Sequence, residues 1–307
     1  MKGNPMKGTT LALALVVAAA IAAGLCSWGM AADEKPASSP AAGKVVKETW
    51  DWAAAMQEAL KKFKGAPGMV MQVGDSTTRN ANAQAWGRQF GHSNESGGYS
   101  DSDGKILTWA HADQADSDQN GWYLAAMDVN ADRTFTAAKN LTTEGLLQGG
   151  PGELPPLKKL LEKYKPQVVV LCVGLIDASR KVKPEDASGN MAKAVDQCLE
   201  AGAVPILVTL PPDKTCHDEV KAINAKYLAL AEQKRLPVLD LYGEVLSRQP
   251  GEKWVNTLTD SEGRKLSVDN ATGPATPENL NKYGYLLKSW LVVQKLKEVK
   301  EKAIDKK

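Results

Sequence analysis

The stretch MVMQVGDSTTRN, Met69 to Asn80, sets four apolar residues out of five directly against Gly-Asp-Ser and a polar turn. A short apolar run bounded by turn residues reads as a buried strand. Its carboxyl end is where an open α/β sheet meets ligands, because loops rather than backbone ladder lie there. Ser76 stands at that end and is a candidate nucleophile. The same residues also suit a plain structural role, since Asp and Ser follow strands as turn formers and cap the next helix. The tripeptide leaves both readings open.

Outward from this stretch the pattern repeats. LPPLKKLLEKY (154–164) reads as helix, QVVVLCVG (167–174) as a buried strand, NMAKAVDQCLEAG (190–202) as a helix with a glycine stop, and VPILVTL (204–210) as another buried strand. DEVKAINAKYLALAEQKR (218–235), the short strand LPVLDLY (236–242) and a long terminal helix over 277–302 complete the series. A leading helix over VVKETWDWAAAMQEALKKFKG, stopped by Gly65, precedes the first strand. Apolar strands without polar alternation, separated by helices, predict a parallel sheet covered on both faces. Val70–Val73, Val168–Val173 and Ile206–Thr209 are its expected central strands, in a three-layer α/β/α sandwich.

The chain has 307 residues, 43% hydrophobic and 24% charged, which is enough apolar material for a sizeable core. With 38 basic and 36 acidic residues the formal charge is +2, and this balance gives no bulk electrostatic reason to expect nucleic acid or an anionic membrane as partner. Lys2 and Lys7 precede the apolar run LALALVVAAAIAAGL, and small residues follow in GMAAD. This is the pattern of a signal peptide over 1–31, which predicts export to a periplasmic or extracellular location. The run is shorter than the ~20 residues of a spanning helix, so no membrane span is expected after its removal. ADEKPASSPAAGK (32–44) reads as a flexible tether, and 45–307 as the folded domain, ending in a charged helical tail. A polar segment from about residue 81 to 125, rich in Gly, Asn, Asp and Ser but carrying Trp86, Trp109, Trp122 and Tyr123, is expected to be a long loop or insertion that walls a substrate site or is merely pinned to the core.

Cys172, Cys198 and Cys216 remain after the signal, an odd number that makes no disulfide scaffold. With His92, His111 and His217 as the only histidines and no paired C-x-x-C, neither a metal site nor a cofactor is expected.

The strand ending in VGDS, the later strand ending in VLCVGLID and the near-terminal DSEGRKLS resemble, in order and context, the sequence blocks of the SGNH or GDSL hydrolases, over about Pro67 to Trp290. NLTTEGLLQGGPGELPPLKKLLEKYKPQ is similar to that family's second block. The resemblance implies a flavodoxin-like fold and an ester hydrolase acting on acyl or acetyl esters, including those of carbohydrates. It implies that Ser76 matches the nucleophile and that the oxyanion is held by the Ser76 and Gly145 amides, with Gly149 and Gly150 as alternatives to Gly145. Asp75, Gly174, Asp177 and Arg264 are then expected to line the site.

Two blocks depart from the family pattern. The third should read Gly-x-Asn-Asp and is Gly174-Leu175-Ile176-Asp177, so an alkyl chain stands at the oxyanion donor position and cannot donate. In the last block Glu262 replaces the aspartate and Lys265 replaces the histidine base. An alternative alignment using Asp269 also lacks a histidine. A lysine amine holds its proton at neutral pH unless its surroundings remove it, so Lys265 reads first as an anion-binding group. The resulting expectation is an exported SGNH-like protein with ester hydrolysis reduced or lost, retaining a glycan or anion site. Two alternatives stand beside it: an active serine esterase or carbohydrate deacetylase using Ser76 with Lys265 as base, and an envelope scaffold with no catalysis. If the family geometry persists, Ile176→Asn, Glu262→Asp and Lys265→His together should restore hydrolysis.

Overall fold

Four short strands, β1 (Val70–Gly74), β2 (Val168–Cys172), β3 (Val204–Val208) and β4 (Val238–Leu239), pair in parallel in the order β1-β2-β3-β4. Every residue of all four is buried, which is why their sequences carry no polar alternation. The computed structural model describes residues 44–92, 97–114, 118–126 and 133–306. The expected signal segment, and the tether as far as residue 43, lie outside the described residues.

Helix α1 (Ala53–Leu60) precedes β1. Between β1 and β2 the chain forms α2 (Ser76–Arg79), α3 (Ala85–Arg88), α4 (Asp101–Trp109), α5 (Gly121–Leu124), α6 (Thr143–Gln148) and α7 (Leu157–Tyr164). α8 (Leu175–Ser179) and α9 (Pro184–Glu200) lead to β3, and α10 (His217–Lys234) leads to β4. α11 (Leu241–Arg248), α12 (Pro277–Leu280) and α13 (Gly284–Val299) follow. α9 packs against α7 and α10, while α13 packs against α3, α4 and β4. The result is the α/β/α sandwich anticipated from the apolar strands.

The outer edge of β1 is not bare. Ala137 forms a parallel bridge to Gly74, the Ala138 amide donates to the Gly74 carbonyl at 3.1 Å, and the Thr136 hydroxyl donates to the Gln72 carbonyl at 2.7 Å. The chain therefore leaves β1, visits its outer edge, and only then crosses to β2 on the other side. Such a reversal opens a crevice at the carboxyl end of the strand where it occurs. Ser76, Lys139 and Leu175 all follow directly on these strand ends.

Three elements differ from the sequence expectation. The leading helix starts only at Ala53. Before it the chain runs extended beside β4: the Val46 amide donates to Asp240 at 2.7 Å, the Val238 amide to Glu48 at 2.9 Å, and the Trp50 indole to the Leu236 carbonyl at 2.8 Å. One sequence rises by two as the other falls by two, so this segment is an antiparallel strap on a sheet edge.

The expected polar loop over 81–125 instead contains α3, α4 and α5, with Trp86 and Trp122 fully buried. Its polar residues serve as caps, including a reciprocal capping box between Ser100 and Asp103. The terminal helix is broken between Leu280 and Gly284, where a Cβ on Gly284 would lie 1.9 Å from the Leu258 carbonyl oxygen. Only glycine admits that approach.

Candidate active site

The turn from β1 into α2 is held by Asp75. One of its carboxylate oxygens accepts the Thr77 amide at 2.9 Å and the Thr77 hydroxyl at 2.8 Å; the other accepts the Leu175 amide at 3.2 Å. These bonds tie the ends of β1 and β2 together. Burial pushes the Asp75 carboxyl above its ordinary range, against the opposing pull of the Thr77 bonds, the Lys288 cation and the Leu175 amide.

Ser76, the first residue of α2, is half-buried, and its hydroxyl has no hydrogen-bond partner among the described residues. Behind the turn lies Lys288 of α13, 1% exposed, whose amine donates to the Thr77 carbonyl at 2.8 Å and the Thr78 hydroxyl at 3.2 Å. Desolvation pushes that amine below its ordinary value, and nearby Cys172 and Asp75 act the other way.

Ser76 opens on a cavity of about 210 Å³. Its charged lining is Arg79 from α2, Lys139 from the segment after the β1-edge bridge, and Arg264 and Lys265 from the loop ahead of α12. Asn80 and Tyr285 add polar groups, and Leu175, Pro211 and Leu266 an apolar wall. No carboxylate and no histidine is among the described residues of this lining. Arg79 is half-buried; Lys139, Arg264 and Lys265 are exposed.

The structure thus brings Ser76, Arg264 and Lys265 to one cavity and leaves the other expected site residues off its lining. Glu262 is exposed and pairs with Arg264 at 3.5 Å rather than orienting Lys265. Ile176 is half-buried in the first turn of α8, and its neighbour Leu175 lines the cavity instead. Asp177 is buried and accepts the Thr143 amide at 3.0 Å and hydroxyl at 2.7 Å, so it anchors α6. Gly174 is a buried turn residue at φ 131°, where a Cβ would meet the Tyr227 hydroxyl at 2.7 Å. Asp75 is engaged behind the turn, as described.

The glycines of the second block lie apart from the cavity lining. The Gly145 amide lies inside α6 and donates to the Thr142 hydroxyl at 3.0 Å, that of Gly149 donates to Gly145, and that of Gly150 to Leu154. The three amides are engaged locally, and none of these glycines lines the cavity. The segment that does reach the cavity carries Lys139 followed by Asn140, whose φ of 64° is a conformation glycine favours. His217 is also elsewhere: it bonds the Tyr242 hydroxyl at 2.8 Å and lines a second cavity, of about 350 Å³, with Trp254.

Arg79, Lys139, Tyr285 and Lys288 were not legible as site residues. Lys288 alone carried a signal, as a lysine inside the apolar run YLLKSWLVV. The others belong to the site only through the folding of distant segments.

A parallel α/β/α sandwich with a half-buried serine on the turn after its first strand, at a switch point of the sheet, defines the class of the SGNH hydrolases. A family model described as the GDSL-like lipase/acylhydrolase family matches residues 72–262, and the chain belongs to that family. Among solved structures it is similar to a GDSL-like lipase from Bacteroides thetaiotaomicron, with 15% identity, 81% of this chain and 99% of that chain covered, and a TM-score of 0.47. It is also similar to the psychrotrophic esterase EstA from Pseudoalteromonas sp., with 14% identity, 75% and 96% covered, and a TM-score of 0.43. The α/β hydrolase LAE5 from the metagenome of Lake Arreo gives 11% identity, 76% and 97% covered, and a TM-score of 0.49. A comparison with curated proteins finds no match.

Proposed function

We propose that this GDSL-family chain is an exported protein in which ester hydrolysis is reduced or lost and which binds an anionic ligand, free or borne on a glycan, over Ser76. The observation that carries the reading is the composition of the Ser76 cavity: four cationic side chains, no histidine and no carboxylate among its described lining residues. An acyl-transfer site needs a group that takes the serine proton and donors aimed at the developing oxyanion. The position of the donor holds Ile176 and that of the base holds Lys265. Loss of one oxyanion donor alone typically costs about 10²–10³ in turnover. Export rests on the Lys2/Lys7, apolar-run and small-residue pattern of the first 31 residues.

The test is turnover of an activated short-chain ester by the wild type beside Ser76→Ala. Equal background rates are expected. A second reading, a live serine-lysine pair, is favoured by one observation, the presence of Ser76 and Lys265 in one cavity. It requires Ser76-dependent turnover that rises with pH and is abolished by Lys265→Met; that result would replace the first reading.

A further inference from the structure

We infer that the group bound over Ser76 is a phosphate monoester rather than a carboxylate; this rests on the anion-binding reading above and narrows it to one chemistry. Arg79, Lys139, Arg264 and Lys265 reach the cavity from three separate segments. Lys139 and Lys265 form no ion pair among the described residues, and the Glu262 partner of Arg264 is itself exposed. An exposed pair of that kind neutralises little in water. Asp75, the carboxylate nearest in sequence, is turned to Thr77 and Leu175. Lys139, Arg264 and Lys265 therefore gather positive charge at the cavity, with no carboxylate among its described lining residues.

A carboxylate brings one charge and two acceptor oxygens to such a place. A phosphate monoester brings about −1.5 to −2 charges at neutral pH and three strong acceptor oxygens, so it can engage several cationic donors and the Ser76 hydroxyl at once. A volume of about 210 Å³ is that of roughly seven waters at about 30 Å³ each. It seats a phosphate and part of what carries it. Leu175, Pro211 and Leu266 supply an apolar wall, with Tyr285 beside it, for the carrier.

The experiment is calorimetric titration of the full chain with glucose 1-phosphate, sulfate and glucuronate, on the wild type and on Lys139→Gln/Lys265→Gln, each shown to be folded by circular dichroism. Glucose 1-phosphate is expected to bind at least about tenfold more tightly than glucuronate, and the double variant to weaken it by about tenfold or more. The described lining holds arginine, lysine and tyrosine but no carboxylate or histidine, and sulfate, whose own charge does not change between about pH 5 and pH 7.5, is the control for any titration of the protein, including that of Asp75 behind the turn. The ligand loses its second charge over that range, near its pKa of about 6. Its binding should weaken toward pH 5 while that of sulfate stays level. Glucuronate binding as tightly as the phosphate would overturn the class and leave the anion-binding reading intact. Phosphate binding unchanged in the double variant would overturn the assigned site. Failure of all three probes to bind the folded wild type would overturn this inference and the anion-binding reading together.

Discussion

At the scale of the residue, Lys288 is the most consequential side chain behind the candidate site. It is buried, makes no ion pair within the described residues, and holds the turn that carries Ser76 through the Thr77 carbonyl and the Thr78 hydroxyl. Burial keeps its folded-state pKa below 10.5. Between that lowered value and the ordinary one the unfolded chain binds a proton that the folded chain does not. Folding stability contributed by this group therefore rises with pH through the window, and the cost of burying the charge is full below it. Lys288→Met abolishes that dependence. It also removes a cation that pulls the raised Asp75 carboxyl down, which favours the protonated folded state at low pH and so shifts the comparison in the same direction. The unfolding free energy of the wild type minus that of Lys288→Met should increase from about pH 7 to about pH 10, as read from urea melts at each pH. A flat difference would mean that Lys288 titrates alike in both states.

At the scale of the element, the strap over Val46–Trp50 does for β4 what a further strand would do, by engaging its edge groups. Glu48 is its centre: it accepts the Val238 amide at 2.9 Å and pairs with Lys295 of α13 at 2.8 Å, with both side chains largely buried. Glu48→Ala leaves the Val238 amide without this acceptor, while Lys295 keeps Glu298 at 2.6 Å. The expected cost is about 1–3 kcal/mol, the range for a buried polar group left unsatisfied. It should appear as a lower urea midpoint at unchanged slope. Glu48→Gln, which retains an acceptor, should recover most of it. The helical reading of this segment failed because helix formers in isolation compete poorly with tertiary partners that reward extension.

At the scale of the whole molecule, the site is a product of the route the chain takes around the sheet. The reversal at β1 gathers the Ser76 turn, the Lys139 segment and the loop with Arg264 and Lys265 into one crevice. The same routing leaves Glu262 in solvent, paired to Arg264, and Ile176 off the cavity lining. Ile176→Asn, Glu262→Asp and Lys265→His together are therefore expected to give no turnover of an activated ester above the matching Ser76→Ala control. Nucleophile, base, orienting acid and oxyanion donor act as a unit, and an acid facing solvent cannot orient an imidazole in the crevice. A gain of about 10²-fold or more over that control would show that these positions still hold hydrolase geometry.

The amino-acid sequence by itself determined the sandwich and the place of Ser76. Strands as apolar as VVVLC and VPILV have no solvent face to offer, so they specify a sheet covered on both sides, and the Gly-Asp-Ser turn places Ser76 at the end of the first. It also determined that the third-block donor is replaced, because the alkyl side chain of Ile176 cannot donate a hydrogen bond wherever it sits. Only the tertiary structure decided which cations meet. Arg79, Lys139 and Lys265 are separated along the chain by intervals with no periodicity, and no local pattern joins them. It likewise decided that the Gly145 amide is engaged by Thr142 and that the polar segment after Asn80 packs as helices. Hydrogen-bond partners and burial of aromatic rings are set by contacts across the fold, which neighbours in sequence do not encode.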